Sequence, residues 1–199
     1  MKNSSNFVAE IWTRIEAVLV AHATEVIQTL SPPASAAEIA KLEAGIGLSL
    51  PGDLRRSLEI HNGQNDPTQC LNFCGRASLM SSADILRDWN MLTEIGVDLD
   101  RVNGIDTTER NSLNGDWWRR SCIPFGHFNG EYWCVDTLAG LGLEAGRIVE
   151  FTRNGPMEET NVRSFADWLE QVASALEENR FDRQLYGSFR VHPRFEGQA

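Results

Sequence analysis

A hairpin pattern over residues 122–136 constrains the fold more than any other feature of this sequence. Two apolar runs are separated there by Asn129-Gly130, and both positions of this dipeptide accept the positive φ angles of a type I′ turn. Pro124 lies in the first run and cannot donate a hydrogen bond to a neighbouring strand, so its strand is predicted to begin there or to lie at an edge. The sequence therefore predicts two paired strands joined by a tight turn.

Further strands and five helices are predicted on either side of this hairpin. Residues 147–151 alternate between apolar and polar, and shorter strand candidates occur at residues 71–73 and 79–80. Residues 96–116 hold few large apolar side chains and many acids, so they are predicted to be mainly loop. Apolar residues recur every three or four positions in the predicted helices, which cover residues 7–30, 35–46, 51–60, 81–92 and 164–176.

Capping signals mark the starts of several of these helices. Ser35 and Glu38 have the spacing of a capping box, in which each side chain reaches the backbone amide of the other residue. Ser81 and Ser164 each precede an aspartate by three residues. Pro51 is predicted to occupy the first position of its helix, where no hydrogen bond is lost.

Length and composition indicate one globular domain with a substantial core. The chain has 199 residues, of which 42% are hydrophobic and 23% are charged. No apolar run approaches the roughly 20 residues that span a bilayer, and the first nine residues lack the basic and apolar regions of a signal peptide. We therefore expect a cytoplasmic protein.

The four cysteines are expected to be free thiols, because the cytoplasm is reducing. Cys70, Cys74, Cys122 and Cys134 have apolar neighbours, which favours buried packing roles. A zinc site is the alternative, because Cys70 and Cys74 are four residues apart and His127 lies between the other two. Structural zinc sites usually bring tighter pairs of ligands from two knuckles, so no metal is predicted.

The net charge of −10 is distributed unevenly along the chain. It is −2 over residues 1–62, −5 over residues 63–140 and −3 over residues 141–199. Such a field repels nucleic acid and anionic membranes and attracts basic proteins. Solubility alone is the competing explanation. We expect a protein partner, with no nucleic acid and no membrane.

No arrangement of residues predicts catalysis or a cofactor. The four histidines lie in no recognisable nucleophile elbow, and no glycine-rich phosphate loop follows a strand. The acids of residues 98–109 lack the calcium-loop pattern, with its fixed glycine and terminal glutamate. Asp136 ends a strand and is predicted to accept hydrogen bonds from backbone amides at the following turn. The chain is therefore predicted not to be an enzyme.

A surface in the acidic middle of the chain is predicted to bind the partner. Trp117 and Trp118 lie between Asp116 and two arginines, and if they are consecutive strand residues, one of them must face away from the core. An exposed tryptophan beside charges suits an interface hot spot, although the long loop or the tail could cover both rings. The predicted partner-binding residues are Asp98, Asp100, Asp106, Glu109, Asp116, Trp117, Trp118 and Glu131.

Three stretches, in this order and spacing, resemble a known family. They are the segment from Ser35 and Glu38 through Leu50-Pro51 to His61-Asn62-Gly63; the run Ile123-Pro124-Phe125, Trp133-Cys134-Val135-Asp136 and Gly146-Arg147-Ile148-Val149; and the closing Ser164-Phe165 with Trp168-Leu169. Over about residues 35–176 they resemble the SUKH superfamily, whose founding group contains the yeast cell-wall synthesis regulator of the Smi and Knr type.

The resemblance implies an α+β fold with a central twisted, largely antiparallel sheet packed against helices. It divides the chain into an N-terminal helix over residues 1–34, a SUKH-like domain over residues 35–179 and a tail over residues 180–199. It also implies protein binding without catalysis. The first functional hypothesis is an immunity protein that neutralises a cognate bacterial toxin, often a basic nuclease, by direct binding. The alternative is an intracellular regulatory scaffold, and a hydrolase built around His127 is a third possibility.

Overall fold

Helices precede and follow a group of antiparallel strands. The computed structural model describes residues 4–66, 71–72, 77–103, 117–138, 145–155, 157–183 and 189–194. Within these residues the elements are α1 (Ser4–His22), α2 (Thr24–Ile27), α3 (Ala36–Ile46), α4 (Gly52–Leu58), β1 (Leu71–Asn72), β2 (Ser78–Leu79), α5 (Ser82–Asn103), β3 (Cys122–Phe128), β4 (Glu131–Asp136), β5 (Arg147–Phe151), β6 (Glu158–Glu159), α6 (Phe165–Glu177), β7 (Phe181–Arg183) and β8 (Phe189–Val191).

The main sheet has five strands in the order β2-β3-β4-β5-β6, and every neighbouring pair is antiparallel. The predicted hairpin is confirmed, because Asn129 and Gly130 join β3 to β4 with φ angles of 50° and 84°. Pro124 lies within β3, where the pairing register with β4 shifts between Pro124 and Gly126. The short β2 pairs only with Gly126 and His127, so Pro124 has no β2 residue opposite it. This arrangement confirms the α+β fold class.

Helix α6 provides the apolar face that covers the sheet. Its start is capped as predicted, since the backbone amide of Asp167 donates to Ser164 Oγ at 3.0 Å. The rings of Phe165 and Trp168 stand edge-on to Phe125 of β3, with centroid distances of 5.0 and 4.8 Å. The whole predicted stripe of this helix is buried: Phe165, Trp168, Leu169, Val172, Ala173 and Leu176.

The first predicted helix is wrong in its extent, because it breaks at Ala23. The backbone there has φ −151° and ψ 62°, which ends α1 and starts the single turn of α2. The break turns the chain so that Val26 is fully buried and Leu30 forms a bridge with Gln64. Upstream of the break, the indole nitrogen of Trp12 donates to a serine hydroxyl of α4 at 3.0 Å, which ties α1 to the domain.

Helix α3 begins with the predicted capping box, and both of its reciprocal hydrogen bonds are present between Ser35 and Glu38. The prediction for the next helix was too long at both ends. Pro51 is the N-cap of α4 and lies outside it, and α4 ends at Leu58. The residues beyond α4 make the connection to α5, because the side-chain oxygen of Asn62 accepts from the backbone amide of Ser82 at 2.7 Å.

Helix α5 runs through residues 96–103, which were predicted to be loop. Its first turn is capped as expected, with the Asp84 amide donating to Ser81 Oγ at 3.1 Å. Once a helix is nucleated, each added residue gains a hydrogen bond for one fixed backbone unit, so weak local propensity does not stop it. An ion pair between Asp98 and Arg101 at 2.9 Å supports the last turns.

The C-terminal segment forms a second, small sheet with the order β1-β8-β7. Strand β8 pairs in parallel with β1 and in antiparallel with β7. Phe189 and Val191 of β8 are buried, so this sheet shares the core of the domain. Among the described residues, no helix combines the length and apolar character needed to cross a membrane.

Candidate protein-binding surface

Five of the eight predicted partner-binding residues lie in the described part of the chain: Asp98, Asp100, Trp117, Trp118 and Glu131. Asp98 lies exposed on α5 and pairs with Arg101. Asp100 also belongs to α5, which corrects the prediction that both aspartates lie in a loop. The remaining acids of the long central segment lie outside the described residues: Asp106, Glu109 and Asp116.

Trp118 belongs to the core and contributes no accessible surface. Its side chain is 1% exposed, its ring stands edge-on to Phe151 at 5.3 Å, and its indole nitrogen donates to Thr93 Oγ1 of α5 at 3.2 Å. Its inclusion in a contact surface is therefore wrong in this structure. The expectation of strand geometry was wrong too, because residues 117–119 are irregular and precede β3.

Trp117 is partly exposed and lies at the same end of the sheet as Glu131. Its indole nitrogen donates to the carbonyl oxygen of Arg153 at 3.0 Å, and its ring stands edge-on to Phe151 at 5.1 Å. Arg153 and Glu131 both line a recess of about 430 Å³ between the turn after β3 and the turn after β5. A Cβ atom at Gly130 would lie 2.5 Å from the flexible Arg153 guanidinium, which can move aside, so it is the positive φ angle that favours glycine in this turn.

A buried ionic cluster around Asp136 stabilises the opposite end of the sheet, where β4 ends and β5 begins. Asp136 is 0% exposed, and its carboxylate accepts from Arg119 at 3.1 Å and from Arg147 at 3.0 Å. Ser121 Oγ donates at 2.8 Å and the backbone amide of Leu138 donates at 3.0 Å. The predicted capping of the turn amide is confirmed, and the two arginines explain how a carboxylate can be fully buried.

The described thiols and His127 are held in unreactive environments. Cys122 and Cys134 are fully buried, and burial raises the pKa of both thiols well above the ordinary value. Burial also lowers the pKa of His127, whose Nε2 accepts the Gly130 amide at 3.0 Å. The ring of His127 stacks on Tyr132 at 4.6 Å. The thiols are therefore neutral near pH 7, and the His127 ring is held by its stacking contact and its hydrogen bond.

His127 also borders a polar cavity of about 220 Å³ between α5 and β2. Asp88 lies at this cavity and is 5% exposed. Its carboxylate accepts from Tyr132 at 3.2 Å and from Arg87 Nε at 2.7 Å, so it is satisfied within the protein. In the part of the chain that the structure describes, no three His, Cys, Asp or Glu side chains are placed to hold a metal ion. Cys70 and Cys74, two of the possible ligands in the alternative zinc site, lie outside the residues that the structure describes.

The outer face of α5 has a feature that the sequence prediction missed. Four large apolar side chains are exposed there: Met91 at 41%, Ile95 at 40%, Leu99 at 38% and Val102 at 84%. We call these four residues the α5 stripe. Their spacing places them within about 80° of the helix circumference. The signal in the sequence is the step of four from Met91 to Ile95 to Leu99.

The neighbouring face of α5 is the one that the sequence correctly assigned to the core. Ile85, Trp89 and Leu92 are buried, and Leu86 packs so closely on α3 that a Cβ atom at Gly45 would meet its side chain. The predicted apolar face of this helix is thus confirmed. The α5 stripe lies outside that contact, among the exposed acids Glu94 and Asp98.

The molecule described so far is an α+β domain, built from an antiparallel sheet, a covering helix and a buried ionic cluster. The sequence profile of the SMI1 / KNR4 family (SUKH-1) matches residues 33–171. The chain belongs to this family. It is also similar to the "Cell wall biosynthesis/cell cycle regulator smi1" of Schizosaccharomyces pombe (strain 972 / ATCC 24843), with 24% identity over 186 residues. That match covers 87% of this chain and 37% of the length of the relative.

Proposed function

We propose that this chain is a non-enzymatic protein-binding domain that works as a regulatory module. The observation that supports this most strongly is the exposed α5 stripe, because large apolar side chains grouped on a surface commonly mark interaction sites. Acids beside the stripe, and Trp117 and Glu131 at the sheet end, add polar and aromatic contacts of the kind that interfaces use.

The regulatory setting is supported by the relative named as a cell wall biosynthesis and cell cycle regulator. In this proposal the domain presents a binding surface to one or more proteins of such a pathway and makes or breaks no bond. The fully buried thiols and the stacked His127 support the non-enzymatic part, since neither is poised to act on a substrate. The free thiols Cys122 and Cys134 also fit a cytoplasmic location, where disulfides are rare.

A second candidate function is an immunity protein that binds and blocks a cognate bacterial toxin. The net charge of −10 favours it, because an acidic protein attracts a basic toxin domain and accelerates the encounter. The two candidates differ in the number of partners. An immunity protein has one tight ligand and protects cells from it, whereas a regulatory module is expected to associate with several endogenous proteins.

Affinity purification of the full chain from its own cells tests the proposal. We expect proteins to copurify in stoichiometric amounts and to survive a wash at moderate salt. Several endogenous proteins support the regulatory module, while a single toxin whose lethality is relieved by co-expression supports the immunity protein. The absence of any stoichiometric protein, together with turnover of a small substrate that is lost in His127→Ala, contradicts both.

With a purified partner, the contribution of the acidic residues Asp98 and Glu131 to the association rate can be measured directly. Glu131→Lys and Asp98→Lys are expected to lower the association rate and to weaken its dependence on ionic strength, because steering acts through long-range charge. Glu10→Lys is the matched control, since Glu10 is an exposed acid on α1, outside both candidate surfaces. Equal association rates for all three variants contradict electrostatic steering by Asp98 and Glu131.

A further inference from the structure

We infer that the α5 stripe docks an amphipathic helix of a partner protein whose apolar row is flanked by lysine or arginine. This inference rests on the proposed protein-binding function and names the segment that the site takes. The α5 stripe consists of Met91, Ile95, Leu99 and Val102, which together expose on the order of a few hundred Å² of apolar surface. Water contact with such a row is unfavourable, so a partner that covers it gains free energy.

The shape of the α5 stripe favours a helix over an extended segment. Met91, Ile95 and Leu99 follow each other at steps of four, and such a row forms a ridge that fits a groove on another helix. All central backbone groups of α5 are bonded within the helix, so it offers no donors or acceptors to an added strand. From Met91 to Val102 the ridge is about 16 Å long, which matches three turns of a partner helix.

The charges beside the ridge select a basic partner. Glu94 and Asp98 lie within about 60° of Met91 on the helix circumference, and both are exposed. Arg101 pairs with Asp98 at 2.9 Å and leaves the surroundings net acidic. A lysine or arginine on the flank of the partner helix meets these carboxylates at the rim of the contact, where charge governs orientation and specificity.

The same charges argue against a second copy of this chain as the occupant. A two-fold contact along the α5 stripe places the same patch of both copies face to face. Glu94 and Asp98 of one copy then approach those of the other, and the two arginines on this side of α5, Arg87 and Arg101, already pair with acids of their own helix. Like charges at an interface are unfavourable, so a basic helix is the better fit.

Photo-crosslinking from the α5 stripe tests this inference in the full chain in its own cells. A benzophenone side chain is placed at Ile95, and a matched chain has it at Val20, an exposed apolar position of α1 with 60% exposure. We expect an adduct from Ile95 that is absent from Val20. Mass spectrometry of that adduct is expected to identify a segment with apolar residues at three- and four-residue steps and with lysine or arginine beside them.

Other products of this experiment overturn the inference. They are an adduct to another part of this chain, such as residues 104–116, to a second copy, or to a segment that is acidic or not amphipathic. The absence of an adduct also overturns it. If proteins still copurify in that case, the protein-binding function stands and only its location on α5 is wrong. If nothing copurifies, the proposed function fails as well.

A synthetic peptide of the identified segment then gives the energetic test. We expect Ile95→Ser and Leu99→Ser each to raise the Kd for this peptide by about tenfold, as is typical of anchor residues in an interface. Val20→Ser is expected to leave the Kd unchanged. Glu94→Gln is expected to weaken binding less and to reduce its salt dependence. Ile95 and Leu99 are partly covered by the domain, so affinities are measured at a temperature at which circular dichroism shows each variant to be folded. Equal affinities for Ile95→Ser and Val20→Ser overturn the inference.

Discussion

Replacing Asp136 by asparagine tests how far the buried ionic cluster stabilises the end of the sheet where β4 ends and β5 begins. The carboxylate lies between the guanidinium groups of Arg119 and Arg147, at 3.1 and 3.0 Å, and all three side chains are at most 7% exposed. Asparagine has nearly the same shape and keeps one oxygen for Ser121 and the Leu138 amide. Asp136→Asn therefore removes the buried negative charge and replaces Oδ2, the oxygen that accepts from both arginines, with an amide donor.

The loss follows from the two arginines that stay behind. Removing one partner of a buried ion pair typically costs 3–5 kcal/mol, because the other charge is left uncompensated. Glu159 still pairs with Arg147 at 3.2 Å and partly offsets its charge, so we expect the lower end, about 3 kcal/mol. In a protein of this size that corresponds to a fall of about 6–12 °C in Tm.

Urea unfolding, followed by tryptophan fluorescence, measures this free energy directly. Asp182→Asn is the matched control, because Asp182 has a 59% exposed side chain and pairs with His192 at the surface. That change is expected to cost less than about 0.5 kcal/mol. An Asp136→Asn variant within about 0.5 kcal/mol of the wild type refutes the argument that the cluster depends on its central charge.

Three further predictions concern local features of the fold. Hydrogen bonds from Ser35 hold the pKa of Glu38 below its ordinary value, so this carboxylate stabilises the fold above the unfolded pKa of about 4.3 and ceases to do so as the pH falls through the folded pKa. In urea titrations the stability difference between wild type and Glu38→Gln is thus expected at pH 7 and is expected to shrink as the pH falls below about 4.3; a difference that stays constant through this acidic range contradicts this. Gly130→Ala is expected to cost about 1–3 kcal/mol, because a φ angle of 84° is unfavourable for alanine, and an unchanged denaturation midpoint contradicts it. Cys122 and Cys134 are expected to resist iodoacetamide at pH 8 until the protein is unfolded, as mass spectrometry of labelled peptides can show, whereas labelling of the native protein at either thiol contradicts their burial.

The elements that sequence reasoning predicted well are those whose signals are local. The capping box of Ser35 and Glu38 and the Asn129-Gly130 turn each require only a few neighbouring residues, and both occur as predicted. The apolar stripe of α6 is also local, since its residues repeat along a single helix. The contacts of Asp136 were only partly predictable. The backbone amide of Leu138 is two residues away, but Arg119 and Arg147 are distant in sequence and are brought to the carboxylate by the fold.

The errors arose where distant contacts decide the outcome. The break at Ala23 lets Leu30 bridge to Gln64, and nothing within residues 7–30 indicates that contact. The two adjacent tryptophans could not be told apart, because burial of Trp118 depends on Thr93 of α5 and on Phe151 of β5. Residues 96–103 have few large apolar side chains, yet they extend a helix that was nucleated and packed well before them.

Helix α5 shows why a binding face is harder to recognise than a core face. Ile85, Trp89 and Leu92 form one apolar row, and the α5 stripe forms a second row about 100° further around the helix. Periodicity alone cannot say which row the rest of the chain covers. Once the first row is seen against the sheet and α3, the second is left at the surface beside Glu94 and Asp98. A helix with two apolar rows, of which its own domain buries one, is expected where a protein uses the same element for folding and for binding.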